Sequence, residues 1–164
     1  MNKVFIIFIV FLAALTRIAP HPPNFTPIIS IALLSGLCFK NKISFLIPLL
    51  VMIFSDFLIG NFEMAIFVYP SLLLVFYLGK YLENKFTYKH VFFGSFIGSF
   101  LFFIISNFGV WLVGYPKSLS GFLSCYYMAI PFYKNTLIST ILYSSILYFM
   151  YEILSRKFLS YQEK

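Results

Sequence analysis

The chain has 164 residues, 61% of them hydrophobic and only 10% charged, with a mean hydropathy of +0.93. Soluble domains run at about 45–50% apolar and about 25% charged residues, so this composition excludes a water-solvated globule and points to lipid. The formal net charge of +7 comes from bases scattered singly between apolar runs, which is a pattern of membrane topology and not of nucleic-acid binding. The length suits one compact membrane domain over residues 1–164.

The first apolar segment runs from Val4 to about Ile18, after Lys3. Its basic start, apolar middle and Ala13-Ala14 have some of the form of a signal peptide. No small-x-small cleavage pattern follows and the next apolar run begins at once, so it is read as a retained first membrane helix. Lys3 and Arg17 snorkel at its two ends. Arg17-Ile18-Ala19-Pro20-His21-Pro22-Pro23-Asn24-Phe25-Thr26-Pro27 follows, with four prolines in eleven residues. Proline lacks an N–H and disfavours helix in the residue before it, so this is a stiff connection between two helices. It carries Arg17, His21 and Asn24, and is read as one wall, or a lid, of a small-molecule site on the outer membrane face.

The second helix is expected over about Ile28–Phe39, with Pro27 a favoured first residue, and the third over about Ile43–Ile59, containing Asp56. A tight connection at Gly60–Glu63 leads to a fourth over about Met64–Leu78. The fifth spans about Val91–Ser106 and the sixth about Thr136–Leu154, capped by Asn135. Several of these are shorter than the roughly 20 residues of a straight span, so tilt or local thinning must compensate. In the long connection 107–135, Leu119, Phe122, Leu123, Tyr126, Tyr127 and Ile130 recur at 3–4 spacing opposite small residues. This predicts a short amphipathic helix lying across the outer surface and stopped by Pro131. Its simplest role is an interfacial prop. The expected fold is therefore all-α and integral to the membrane: a compact bundle of six transmembrane helices with a short outer interfacial helix between the fifth and sixth.

Basic residues orient it. With the N-terminus inside, Lys3, Lys40, Lys42, Lys80, Lys85, Lys89, Arg156, Lys157 and Lys164 lie on the inner side, and Arg17, Lys117 and Lys134 on the outer. This nine-to-three bias follows the positive-inside rule and puts both termini in the cytoplasm. The outer half then holds Arg17, His21, Asn24, Asp56, Asn107, Trp111, Tyr115, Cys125 and Asn135. Asp56 is the lone intramembrane acid, at a depth similar to that of Arg17. An unpaired charge there costs roughly 2.5–3.5 kcal/mol, so the two are expected to pair, either as a structural bridge or as part of a ligand site. Asn107 and Trp111 share a face if helical. Trp111 and Tyr115 taken singly read as interfacial anchors, which leaves Asn107 beside them unexplained. The candidate ligand-binding residues are Arg17, His21, Asn24, Asp56, Asn107, Trp111, Tyr115 and Asn135.

Enzymatic chemistry is not expected. Cys125, His21 and Asp56 fall on one side, as a nucleophile system would need, but no local motif supports it and Asp56 already has Arg17. No metal-ligand spacing, cofactor motif or phosphate-binding loop is present; Gly79-Lys80 lacks the upstream glycine. Cys38 and Cys125 fall near opposite faces, which argues against a disulfide. Gly94-x-x-x-Gly98, extended by Ser95 and Ser99, permits close helix contact, either internal or with a partner.

The order Arg17-x-x-Pro20-x-Pro22-Pro23-Asn24-Phe25-x-Pro27, Ser55-Asp56, Asn107-Phe108-x-x-Trp111 and Pro131-Phe132-x-x-Asn135-Thr136 resembles an uncharacterised bacterial membrane family described as transport proteins. That family is similar, in size, helix number and topology, to the substrate-binding S components of energy-coupling-factor vitamin transporters. The resemblance implies capture of a vitamin or precursor in an outward-facing cavity of an inner-membrane protein. It also implies a transmembrane coupling subunit and ATP-binding subunits as partners. The alanine-x-x-x-alanine docking pattern of typical S components is absent, since the first helix has only Ala13-Ala14. A non-transporting scaffold of the cell envelope is the alternative.

Overall fold

The computed structural model describes residues 15–17, 19–39, 41–60, 62–83 and 87–162, with side chains described as far as Ile153 and excluding that of Lys42. Most of the expected first helix, and Lys3, Lys40, Lys85 and Lys164, lie outside the described residues. Helices α1 (Ile28–Cys38), α2 (Leu46–Ile59), α3 (Ala65–Tyr81), α4 (Tyr88–Gly114) and α5 (Leu119–Gln162) succeed one another, with a 3-10 turn at Lys42–Phe45 leading into α2. Residues 15–17 are also helical, and no strand occurs among the described residues.

Helix α1 is the hub. It is apolar all round, every residue from Ile28 to Leu37 is buried, and it packs against α2, α3, α4 and α5. A helix without a polar face has no surface to offer water and must sit in the core. At 11 residues it is only about 16 Å long, shorter than each of the helices it packs against. Its closest approach is to α3. A Cβ on Gly36 would stand 2.1 Å from the Phe76 carbonyl oxygen, and one on Gly79 would stand 2.1 Å from that of Leu33.

Small hydroxyl residues line the other contacts. Ser30, Ser55, Ser71, Ser95, Ser99, Ser139, Thr140 and Ser144 are all essentially inaccessible. Most bond backward to their own helix: Ser55 Oγ donates to Val51 O at 2.8 Å, Ser95 Oγ to Val91 O at 2.7 Å and Thr140 Oγ1 to Thr136 O at 2.7 Å. The hydroxyl is thereby satisfied inside an apolar core while the backbones stay close. Ser30 Oγ instead crosses to Thr140 O at 2.9 Å and ties α1 to α5. The Gly94-x-x-x-Gly98 pattern faces inward: a Cβ at Gly94 would meet Leu33 and Leu82, and one at Gly98 would meet Val75. It is internal packing, not a docking face.

Three expectations are corrected. First, α4 continues through Asn107 and Trp111 to Gly114, leaving only Tyr115–Ser118 as the connection. Second, there is no separate interfacial helix, because α5 runs unbroken from Leu119 through Pro131 to Gln162. A proline inside a helix costs about 3 kcal/mol. The cost is offset here because Gly121, Cys125 and Ala129 before it, and Thr136, Thr140 and Ser144 after it, form one buried stripe against the bundle. Breaking the helix at Pro131 would lose half of that stripe. The bulky face, Leu119, Leu123, Tyr127 and Ile130, points outward. Third, Asn135 lies inside α5 and caps nothing. The turn after α2 is as expected: Gly60 takes a left-handed φ of 76°, and its N–H donates to Asp56 O at 2.8 Å. That conformation suits glycine at a helix end.

Candidate functional site

The proline-rich stretch folds back over the start of α1. Pro22–Phe25 is a turn closed by Phe25 N–H donating to Pro22 O at 3.0 Å, with Asn24 at φ 62°. Proline at the second position and a left-handed asparagine at the third are what a type II turn requires. One face of α5 straps the turn down at i, i+4 and i+8. Asn135 Nδ2 donates to Pro23 O at 3.1 Å, Ser139 Oγ donates to Asn24 O at 3.4 Å, and the Tyr143 ring meets Phe25 edge-on with centroids 6.0 Å apart. Replacing Asn24 by valine is expected to cost about 1–2 kcal/mol because a β-branched residue resists positive φ. Asn24→Gly should stay within a few tenths of wild type. Thermal unfolding of the purified variants checks this; equal losses for both would mean that the turn conformation does not matter.

On the other side, Arg17 reaches α2. Its Nη1 donates to Asp56 Oδ1 at 2.6 Å and makes a further close bond to Ser55 Oγ. Tyr69 OH, from α3, donates to Asp56 Oδ2 at 3.0 Å. Asp56 is 5% exposed, so both carboxylate oxygens are satisfied in a place where an unpaired charge would be costly. The Arg17–Asp56 pair expected from sequence is thus formed, with Tyr69 as a third member. Tyr69 carried no sequence signal beyond being a tyrosine within an apolar helix.

Between these two anchors lies a cavity of about 290 Å³. Its floor is the first turn of α1, at Ile28 and Ile29. Its walls are Met52 and Ile59 of α2, Val68 of α3, Phe102 of α4 and Thr136 of α5, and its rim is Arg17, His21, Asn24 and Thr26. The cavity lies before the first turn of α1, between the four helices that α1 packs against. The positive end of the α1 dipole faces this space, and Pro27 at the N-cap offers no side-chain acceptor.

Of the eight candidate residues, Arg17, His21 and Asn24 line this cavity, Asp56 is held by Arg17, and Asn135 supports the turn from outside. Asn107, Trp111 and Tyr115 form none of its lining. Asn107 Nδ2 bonds back to Phe103 O at 2.8 Å within α4. Trp111 Nε1 donates to Pro116 O at 3.1 Å, beside the Phe108 and Phe122 rings. Lys117 Nζ closes the corner, 2.9 Å from Trp111 O, 3.0 Å from Tyr115 O and 5.5 Å from the Trp111 ring centroid. A lysine on the last carbonyls of a helix complements its dipole, so these residues build the α4–α5 corner. Thr136 and Phe102 were not anticipated. The i, i+4 repeat of polar residues at Asn135 and Ser139, beside Thr136 and Thr140, was the available signal for this face of α5.

Cys125 is buried, with Sγ 3.5 Å from Asn107 O, and does not line the cavity with His21. Both cysteines are free. Among the described residues, no group of three His, Cys, Asp or Glu side chains gathers that could hold a metal ion.

These features define an all-helical protein with two helices long and apolar enough to cross a membrane, Tyr88–Gly114 and Leu119–Ile153, around a small polar-rimmed cavity. The chain belongs to a family of unknown function (DUF6580), whose profile matches residues 1–162. No curated protein and no solved structure matches it.

Proposed function

We propose that this protein is a six-span protein of the bacterial inner membrane, with both termini cytoplasmic, that captures a small nutrient molecule in an outward-facing cavity. The distribution of residues supports the membrane setting. Large apolar side chains face outward, with Phe57, Ile66 and Tyr127 each more than 70% exposed, while serines and threonines join apolar residues in the core. A soluble monomer rarely exposes contiguous apolar surface beyond a few hundred Å². Tyrosines 88, 148 and 151 gather near one end of the α4–α5 pair and Trp111 with Tyr115 at the other, as interfacial belts do.

The observation that carries the capture reading is convergence. Arg17, His21 and Asn24 of the proline-rich stretch meet Thr136, more than a hundred residues further along the chain, around one open volume. Polar groups in membrane proteins are placed toward a cavity or pathway, and apolar walls with a few oriented polar groups suit a small-molecule site. The open volume favours capture over an envelope scaffold, whose interior would be filled by its own side chains. Resemblance to energy-coupling-factor S components extends the proposal to a transmembrane coupling subunit and ATP-binding subunits, because no nucleotide motif occurs in this chain.

The test is to purify the full chain in mild detergent, extract bound small molecules and identify them by mass spectrometry. Val68→Phe, which narrows the cavity, serves as the comparison. A compound enriched with wild type and depleted with Val68→Phe is expected; no difference between the two sinks the proposal. In a cysteine-free background, Leu119→Cys should label with an impermeant thiol reagent in intact cells and Lys89→Cys should not. Equal labelling overturns the orientation.

A further inference from the structure

Resting on the capture reading, we infer that the cavity selects a compact monocarboxylate: one carboxylate held by the free edge of Arg17, with an apolar body of one ring or a short chain. The argument begins with a count of donors and acceptors. A guanidinium has five N–H donors in a fixed fork. Arg17 uses Nη1 for Ser55 and Asp56, and Nε and Nη2 have no hydrogen-bond partner among the described residues. The pair is therefore closed on one edge and open on the other, and Arg17 is itself a lining residue.

The acid of the pair is closed off. Asp56 Oδ1 takes Arg17, Oδ2 takes Tyr69, and Asp56 forms none of the cavity lining. No Asp or Glu is among the described residues that line the cavity. What the cavity presents is thus surplus donors with no competing anion. A cationic or purely apolar ligand would cover the open edge of this part-buried guanidinium without pairing it, at the cost of desolvating a charged donor. A carboxylate fits that edge in the planar, bidentate geometry for which arginine is suited.

Charge and size narrow the class. Asp56 already balances Arg17, so a dianion would bring two charges to a site whose described lining holds no second lysine or arginine. One negative charge, spread over two oxygens, is what the open edge supports. At about 290 Å³ the cavity sits at the small end of the ~300–1,000 Å³ range of ligand pockets. Ile29, Met52, Val68 and Phe102 offer the body of the ligand apolar contacts, with the polar groups kept to the rim and Thr136.

Titration calorimetry on the full chain in detergent, at pH 8, tests this with matched probes. Benzoate and hexanoate are compared with benzamide and hexanamide, which keep shape but lose charge, and with phenylphosphonate, which carries a second charge. At least one acid should bind wild type ten-fold or more tightly than its amide and than the phosphonate. Arg17→Lys keeps the ion pair but loses the fork, and should reduce that preference several-fold. The double variant Arg17→Gln/Asp56→Asn removes both charges without stranding either, and should abolish the preference while remaining folded by circular dichroism. The two variants also control for partition into detergent. Amide or phosphonate binding equal to acid binding overturns the inference, as does an acid preference that survives in the double variant, or no acid binding at 10 mM. A neutral or cationic compound recovered from wild type but not from Val68→Phe also overturns it, yet leaves the capture reading standing.

Discussion

Gly36→Ala and Gly79→Ala are each expected to destabilise the protein by an amount at the top of the ~1–3 kcal/mol range for overpacked cores. Together they should cost much less than the sum. At each position the added methyl would stand 2.1 Å from a backbone carbonyl oxygen of the facing helix, Phe76 O for Gly36 and Leu33 O for Gly79. Carbon–oxygen contacts settle at about 3.3–3.6 Å, and a backbone carbonyl cannot turn aside as a side-chain tip can. The only relief is for α1 and α3 to move apart by roughly 1 Å, which loosens Leu33, Leu72, Val75 and Phe76, all at most 2% exposed. The greater helix propensity of alanine, about 1 kcal/mol, offsets only part of this. One separation makes room for both methyls, which is why the two costs should couple. Gly114→Ala, with nothing within 4 Å of the new methyl, is the control and should be neutral or slightly stabilising. Thermal unfolding in detergent with size-exclusion profiles measures all four. A Gly36→Ala protein that melts like Gly114→Ala would show that the two backbones do not touch.

Asp56→Asn is expected to cost about 3–5 kcal/mol, the usual loss when one partner of a buried pair is removed and the other is left charged. Arg17 cannot lose its proton, and its other Nη1 partner, Ser55, is neutral. Tyr69→Phe removes one bond to a charged acceptor and should cost less, about 1.5 kcal/mol. Arg17→Gln/Asp56→Asn should recover a large part of the single-variant loss because neither charge is stranded. A double variant no more stable than the additive sum of the singles would mean that the pair does not interact. Because the same guanidinium faces the cavity, Asp56→Asn should also disturb ligand capture even at temperatures where the protein stays folded.

The helical class, the outward-facing apolar surface and the Arg17–Asp56 pair were legible in the sequence. Each follows from a free energy that depends on residue type and approximate depth alone: apolar runs bury backbone polar groups in helices, and a charge in an apolar setting requires an opposite one. Pro22-Pro23-Asn24 likewise encodes its turn locally, through the fixed φ of proline and the tolerance of asparagine for positive φ. The α4–α5 region was not legible. Pro131 carries a local penalty that reads as a stop, yet the helix continues because residues on both sides of it bury one stripe against the bundle, and that gain exists only once the bundle is assembled. Asn107 and Trp111 had the composition of a binding wall, but whether a polar side chain faces a cavity or its own preceding turn depends on helix rotation, which neighbours several helices away determine. Nor does any local pattern state that the space before the first turn of α1 stays open, or that Thr136 and Phe102 line it. The sequence by itself determined which residues could not stand alone in an apolar setting. The tertiary structure decided which of them meet, because that choice depends on packing between segments more than a hundred residues apart, such as Pro23 with Asn135.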